Sequence, residues 1–126
     1  MTPTPQDRAR RIAAAAIDLK AENVRALDVE ALTSFADAFV LASGTSDRHV
    51  RAIADAIREA AKASGSVLGV EGHDEGRWVL LDLGDVVAHV FQVEVREHYD
   101  FDRLWGDAVA IDLPDPASPA ERQTAP

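Results

Sequence analysis

The chain lacks several features that would assign it to a common class of protein. It has no cysteine among its 126 residues, which excludes disulfides, thiol nucleophiles and cysteine-ligated metal centres. The N-terminus has no apolar stretch like that of a signal peptide, and no apolar run approaches the roughly 20 residues that span a bilayer. We therefore expect a single cytoplasmic domain that does not enter a membrane.

Basic residues are scarce in the C-terminal half. The net charge is −9, and residues 70–116 contain twelve acidic residues but only three basic ones, Arg77, Arg96 and Arg103. Such a surface repels phosphate backbones, so we expect no binding to naked nucleic acid. The acidic segment has two interpretations: it keeps the protein soluble, or it binds a basic protein partner.

Apolar spacing and turn residues predict eight secondary-structure elements. Helical periodicity extends from Thr4 to about Lys20 and from Ser46 to Gly65. The spacing of Phe101, Leu104, Trp105 and Ala108 predicts a short last helix, which is interrupted or ends near Gly106. The predicted strands are residues 25–31, 38–42, 66–71, 78–83 and 86–91. Their order predicts one α/β domain with a mixed five-stranded sheet and flanking helices.

The C-terminal segment, residues 113–126, differs in composition from the rest of the chain. It is rich in proline and alanine and offers almost no apolar side chain to a core. We predict that this segment is disordered and that the folded domain comprises residues 1–112.

A β-hairpin is the clearest local structure in the sequence. Gly84 and Asp85 separate two apolar runs, and glycine at the first position favours a type II′ turn. This turn sets the register, which makes one face of the hairpin wholly apolar. The other face is mixed and collects Trp78, Leu80, Asp82, Val87, His89 and Phe91. There, Asp82 and His89 are diagonal neighbours within hydrogen-bonding reach, and the face suits a covering helix or a partner better than water.

Two aromatic residues do not fall clearly on core positions. Trp78 begins the mixed face of the hairpin, and Tyr99 lies among acidic residues before the last helix. Tryptophan and tyrosine dominate protein interfaces. The pattern alone leaves interface and core equally open for both residues.

The loop Ser43–Ser46 is the one candidate for enzyme chemistry. It lies between a strand and a helix N-terminus, where backbone N–H groups can bind phosphate, so a nucleotide-dependent transferase is one hypothesis. A turn with a helix cap is favoured, because no phosphate-loop motif is present and Asp47 puts a negative charge where the phosphate would bind. No spacing of histidines or carboxylates indicates a metal site or a catalytic set, and we expect no cofactor.

Several strings of the chain resemble one family. They lie between residues 8 and 109 and comprise DAFVLASGTSDRHV at 37–50, EG at 71–72, WVLLD at 78–82, GDVV at 84–87, HVF at 89–91, Tyr99 and LW at 104–105. Together and in this order they resemble the Iojap family, the ribosomal silencing factors.

The resemblance implies a fold, an activity and a set of partner-binding residues. The fold is an α/β domain similar in topology to nucleotidyltransferases, without catalysis, in which Ser43–Ser46 is the remnant of a phosphate loop. The implied activity is binding to the large ribosomal subunit through universal large-subunit ribosomal protein fourteen, which blocks subunit association and represses translation in starvation or stationary phase. The free protein is expected to be a homodimer. The partner-binding residues that the resemblance implies are Trp78, Leu80, Asp82, His89 and Tyr99.

Overall fold

The computed structural model describes residues 4–113. Its helices are α1 (Pro5–Asp18), α2 (Asp47–Ser64), α3 (Val93–Tyr99) and α4 (Phe101–Leu104). Its strands are β1 (Glu22–Asp28), β2 (Ala38–Gly44), β3 (Gly69–Glu71), β4 (Trp78–Asp82), β5 (Val86–Gln92) and β6 (Val109–Ile111). The segment after Leu113, for which we predict disorder, lies outside the described residues. None of the helices in the described part is long and apolar enough to cross a membrane.

The strands form one sheet with the order β3-β4-β5-β2-β1-β6. The central pair, β2 and β5, is parallel and the other pairs are antiparallel, so the mixed α/β architecture is confirmed. The predicted number of five strands is wrong, because the described residues form six. Val109–Ile111 becomes a strand by pairing with β1, and pairing with a distant segment leaves no local pattern. The strand predicted at 25–31 is observed at Glu22–Asp28, and the one predicted at 66–71 is confined to Gly69–Glu71.

The predicted hairpin is confirmed in its register and in the position of its turn. Opposing residues are Trp78 and Phe91, Leu80 and His89, and Asp82 and Val87. Gly84 has a φ of +91°, whereas Asp85 is not among the residues with positive φ, which is the combination that a type II′ turn requires. The amide of Leu83 donates to the carbonyl of Val86 at 2.9 Å and closes the hairpin.

Helices cover the two faces of the sheet unequally. α1 and α2 pack on one face and bury the apolar side of the hairpin in the larger core. α3 contacts β5 and β2 on the other face, over a smaller core that includes Phe39, Phe91 and Phe101. On that face the β4 residues Trp78 and Leu80 are only half-buried. On the second face, β4 is therefore less covered than β5, its partner in the hairpin.

Both long helices begin where the sequence predicts. The side-chain oxygen of Thr4 accepts a hydrogen bond from the amide of Asp7 at 3.0 Å, and that of Ser46 accepts from the amide of His49 at 3.0 Å. These caps satisfy amides that the first turn of a helix leaves without partners. α2 ends before Gly65, also as predicted.

A buried arginine joins α1 to three other parts of the fold. Arg8 is 4% exposed. Its guanidinium donates to the carbonyls of Leu83, Ala61 and Ser66 and to the carboxylate of Asp85 at 2.7 Å. It thereby holds together the end of α2, the segment that follows it and the hairpin turn.

The prediction of a single last helix is only partly correct. A helix covers Phe101–Leu104, but Trp105 and Ala108 lie beyond it, although they pack against the smaller core as their spacing suggests. The sequence reading misses α3, because β5 runs into Val93 without a glycine or proline to mark the change. Asp100 adopts the left-handed conformation with φ of 50° and separates the two short helices.

Candidate functional site

Four of the five residues that the sequence predicts as partner-binding lie on one face of the hairpin, and the fifth, Tyr99, lies beside them at the end of α3. Leu80 is opposite His89 in the register, and the rings of Trp78 and Tyr99 are 5.5 Å apart between centroids. Asp82 follows on the same face of β4, two positions after Leu80. We call the area formed by Trp78, Leu80, Asp82 and Tyr99 the hairpin surface; His89 is buried beneath it.

Trp78 is the central residue of the hairpin surface. Its ring lies 5.1 Å from that of Phe91 and 5.9 Å from that of Phe101. The smaller core therefore supports the indole from beneath, while the residue as a whole is only half-buried. Trp78 therefore combines the two alternatives left open by the sequence: one side of its ring packs against the core, and the other side is accessible to a partner. An aromatic side chain that is supported on one side and accessible on the other is the usual type of interface anchor.

His89 lies beneath Trp78 and not beside Asp82. Its side chain is 6% exposed, and its Nδ1 accepts a hydrogen bond from the indole Nε1–H of Trp78 at 3.2 Å. Burial lowers the pKa of His89 to about 4, so the imidazole is neutral near pH 7. The expected bond between Asp82 and His89 does not form; the Asp82 carboxylate instead accepts the amide of Gly84 at 3.1 Å within the turn.

A shallow groove of about 230 Å³ lies beside Trp78 at the edge of the sheet. Glu71, Gly72 and Leu80 complete its lining. Glu71 is directly opposite Leu80 in the register, so a carboxylate borders the apolar part of the groove. Gly72 has a φ of +83°, and a Cβ at this position would collide with the carbonyl oxygen of Trp78. Glycine is therefore required where the chain turns away from Glu71.

Tyr99 extends the hairpin surface from the end of α3 and is 55% exposed. The position of α3 depends on Arg96, which is buried and donates to both carboxylate oxygens of Asp102, at 3.2 and 3.1 Å. Arg96 also donates to the carbonyl of Asn23 at 2.7 Å and to the hydroxyl of Ser43 at 2.9 Å. Sequence reasoning misses this role, because two of the partners belong to strands far away in the chain.

The acidic residues near the hairpin surface fall into two groups. Asp85 and Asp102 pair with buried arginines and are therefore part of the fold. Within residues 4–113, by contrast, Glu71, Asp82 and Glu94 form no ion pair. Three carboxylates near the hairpin surface thus have no ion-pair partner in the described part of the fold; one basic residue, Arg77, lines a pocket together with Glu94 and Tyr99.

Two backbone amides at the Ser43–Ser46 loop and the helix start that follows it are engaged by side chains. The amide of Thr45 donates to Nδ1 of His49 at 2.9 Å, and the amide of His49 donates to the side chain of Ser46. These two amides are among the groups that a phosphate at the start of α2 would use.

The same loop is closed by packing and by charge. A Cβ on Gly44 would lie 2.8 Å from Cγ2 of Val50, so glycine allows close contact with α2. The Asp47 carboxylate accepts backbone hydrogen bonds at the start of α2, and the Arg51 guanidinium at 2.9 Å holds the pKa of Asp47 below its ordinary value. Among residues 4–113, no cluster of three or more histidine, aspartate or glutamate side chains is placed to hold a metal ion.

Comparison with known proteins gives one consistent family. The family model described as "Ribosomal silencing factor during starvation" matches residues 2–126. The ribosomal silencing factor of Bacillus subtilis is 50% identical over 105 residues, which cover 82% of this chain and 89% of that protein. The chloroplast protein Iojap of Zea mays is 31% identical over 103 residues, which cover 82% of this chain and 45% of that protein.

Solved structures agree with the sequence matches. A crystal structure of a protein from Chromobacterium violaceum has a TM-score of 0.80 with this fold at 36% identity, and the match covers 94% of this chain and 96% of that one. The chain belongs to the ribosomal silencing factor family.

Proposed function

We propose that this protein binds the large ribosomal subunit and thereby prevents the small subunit from joining it. The contact on the ribosome is universal large-subunit ribosomal protein fourteen, and the hairpin surface makes it. The observation that carries the proposal is the half-buried Trp78, with Tyr99 and Leu80 beside it and with acidic residues nearby that form no ion pair within residues 4–113. Membership of the family supports the ribosome as the target.

The chemistry of the hairpin surface suits a basic protein. Its aromatic and aliphatic side chains offer area that leaves water on binding, which supplies affinity. Glu71, Asp82 and Glu94 surround that area with negative charge, which attracts a positively charged partner and raises the association rate. The same charge disfavours direct contact with ribosomal RNA.

The proposed effect on translation is steric. A protein held on the face of the large subunit that meets the small subunit occupies space that the joined ribosome needs, so binding and subunit joining exclude each other. Translation then falls as the protein accumulates in the cytoplasm, during starvation or stationary phase. The mechanism requires no reaction.

We propose no catalytic activity and no cofactor. The engaged amides of the Ser43–Ser46 loop and the carboxylate of Asp47 at the start of α2 disfavour the alternative, a nucleotide-dependent transferase. The likeness in topology to nucleotidyltransferases stays a prediction. We also propose that the free protein is a homodimer, since self-association would shield apolar surface from water.

The proposed function is tested by sedimentation with purified large ribosomal subunits. The native chain is expected to pellet with large subunits and to reduce the yield of joined ribosomes when small subunits are added. Trp78→Ala is expected to weaken binding by about 2 kcal/mol or more, which is roughly thirtyfold. Isolated universal large-subunit ribosomal protein fourteen should bind with the same dependence on Trp78.

The matched control is Leu19→Ala, because Leu19 is also a surface-exposed apolar residue but lies at the end of α1 on the opposite face of the sheet. This variant should bind as the native chain does. Equal binding by the native chain and Trp78→Ala would contradict the assignment of the hairpin surface. Absence of binding by the native chain would contradict the proposed function itself.

A further inference from the structure

His89 is a polar side chain in an apolar setting. The centroid of its ring lies 5.3 Å from that of Phe39, 5.8 Å from that of Phe91 and 4.7 Å from that of Phe101. Placing an imidazole among three phenyl rings costs desolvation free energy unless its nitrogens find partners, and a fourth phenyl ring would avoid that cost. The polarity of His89 therefore calls for a specific reason.

The hydrogen bond with Trp78 explains why a polar ring is present at position 89. An indole Nε1–H is a donor only, so the bond at 3.2 Å requires Nδ1 of His89 to be an unprotonated acceptor. The proton of the neutral ring is consequently on Nε2. The lowered pKa of the buried ring, about 4, keeps that acceptor available at neutral pH.

Two orientations about χ2 are open to the Trp78 side chain. They share one ring plane, but they place the six-membered ring of the indole on opposite sides of the Cβ–Cγ axis. Contacts with Phe91, Phe101 and Tyr99 pack against the ring in the observed orientation. A hydrogen bond to a fixed acceptor distinguishes the two orientations, because only one of them directs Nε1–H at His89. The bond thus decides which edge of the indole is presented outside.

We propose that His89 is a positioning residue, which holds the Trp78 indole in one orientation on the hairpin surface and does not itself contact the partner. The proposal rests on the proposed function, in which Trp78 is the anchor of the ribosomal contact. A pre-oriented anchor loses less conformational freedom on binding than one that exchanges between two orientations. His89 accordingly acts on affinity through Trp78.

The hydrogen bond can be tested in the native chain without any substitution. Nuclear magnetic resonance should detect a ¹⁵N–¹⁵N coupling across the bond between the Trp78 indole nitrogen and Nδ1 of His89, together with the Nε2–H tautomer. The only other tryptophan is Trp105, so Trp105→Phe assigns the two indole signals. An uncoupled Trp78 indole that exchanges rapidly with solvent would overturn the proposal.

Two substitutions test the effect on binding. His89→Phe keeps a flat ring of similar size but removes the acceptor, and His89→Asn places a side-chain oxygen near the position of Nδ1. We expect His89→Phe to remain folded, to shift the Trp78 indole signal and to weaken large-subunit binding about fivefold, as the loss of one hydrogen bond predicts. His89→Asn should restore most of the indole signal and of the affinity.

A control separates positioning from stability. Leu81→Val reduces packing on the opposite face of β4 and should leave both the indole signal and binding unchanged. If His89→Phe binds the large subunit with native affinity while Trp78→Ala binds more weakly, His89 does not position Trp78. The proposed function would be unaffected by that result. Absence of binding by the native chain would instead overturn the proposed function.

Discussion

The guanidinium of Arg8 and the carboxylate of Asp85 form an ion pair at 2.7 Å across 77 positions of the chain. Arg8 is buried, while the side chain of Asp85 is 32% exposed. The two residues join the first turn of α1 to the turn of the hairpin. Because the carbonyls of Ala61, Ser66 and Leu83 also accept from Arg8, one side chain satisfies acceptors from three segments.

Arg8→Met is expected to lower the free energy of unfolding by about 3 kcal/mol, because it leaves a carboxylate and buried carbonyls without their donor. Urea denaturation measures the change. Arg10→Met is the matched control on the same helix, since its ion pair with Asp7 is exposed, and it should change stability by less than about 0.5 kcal/mol. A similar small effect for both variants would show that Arg8 is not needed to hold these segments.

Substitutions of Leu81 in the hairpin and of Tyr99 at the end of α3 are expected to change different properties of the protein. Leu81→Ala should lower stability by about 2 to 5 kcal/mol through a cavity in the larger core and should leave the affinity of the folded protein unchanged. Tyr99→Ala should barely change the melting temperature, because the residue is mostly exposed, but should weaken large-subunit binding by about tenfold. Thermal melting and sedimentation on the same samples measure both quantities. Native affinity in Tyr99→Ala would exclude it from the partner-binding set.

His89 is expected to make stability fall in mild acid. Its pKa is about 4 in the folded protein against 6.5 for an ordinary histidine, so below pH 6.5 the unfolded chain binds a proton that the folded chain does not. The contribution of His89 to the free energy of unfolding is therefore fully present above pH 6.5. It decreases by about 3 kcal/mol as the pH falls from 6.5 to 4. Denaturation at several pH values should show this slope in the native chain and a flatter one in His89→Phe. The same dependence of stability on pH in the native chain and in His89→Phe would mean that His89 has the same pKa in the folded and unfolded states.

Ser46→Ala tests the role of the Ser43–Ser46 loop. Loss of the helix cap should lower stability by about 1 kcal/mol, and magnesium with ATP should leave the melting temperature of the native chain unchanged. Calorimetry measures both. A nucleotide-dependent rise in melting temperature that disappears in Ser46→Ala would instead support the transferase alternative, because a ligand that binds the folded state stabilises it.

Local signals made the hairpin and the long helices predictable. A turn type and a two-residue alternation fix the pairing of Trp78 with Phe91 and of Leu80 with His89, and the caps at Thr4 and Ser46 need only neighbouring residues. The five residues predicted as partner-binding come together for the same reason, since four of them belong to the hairpin.

Distant partners explain what the sequence did not reveal. β6 exists because Val109–Ile111 pairs with β1, and α3 is held by the bonds of Arg96 to Asn23 and Ser43. The burial of His89 depends on Phe39 and Phe101, which meet only in the folded protein. No pattern within a short window contains this information. One signal was present but unused: Arg8 lies one turn before Ile12 on the apolar stripe of α1, where a charge needs a buried partner.

The strand order has a consequence for how the chain folds during its synthesis. β2 and β5 are neighbours at the centre of the sheet, yet α2, β3 and β4 lie between them in the chain. During synthesis, β2 with its fully buried residues must wait for its parallel partner to leave the ribosome, and β6 arrives later still. An interrupted chain would therefore present β2, paired with β1 on one side, with an unpaired apolar edge on the other, and such an edge is prone to aggregation and to capture by chaperones.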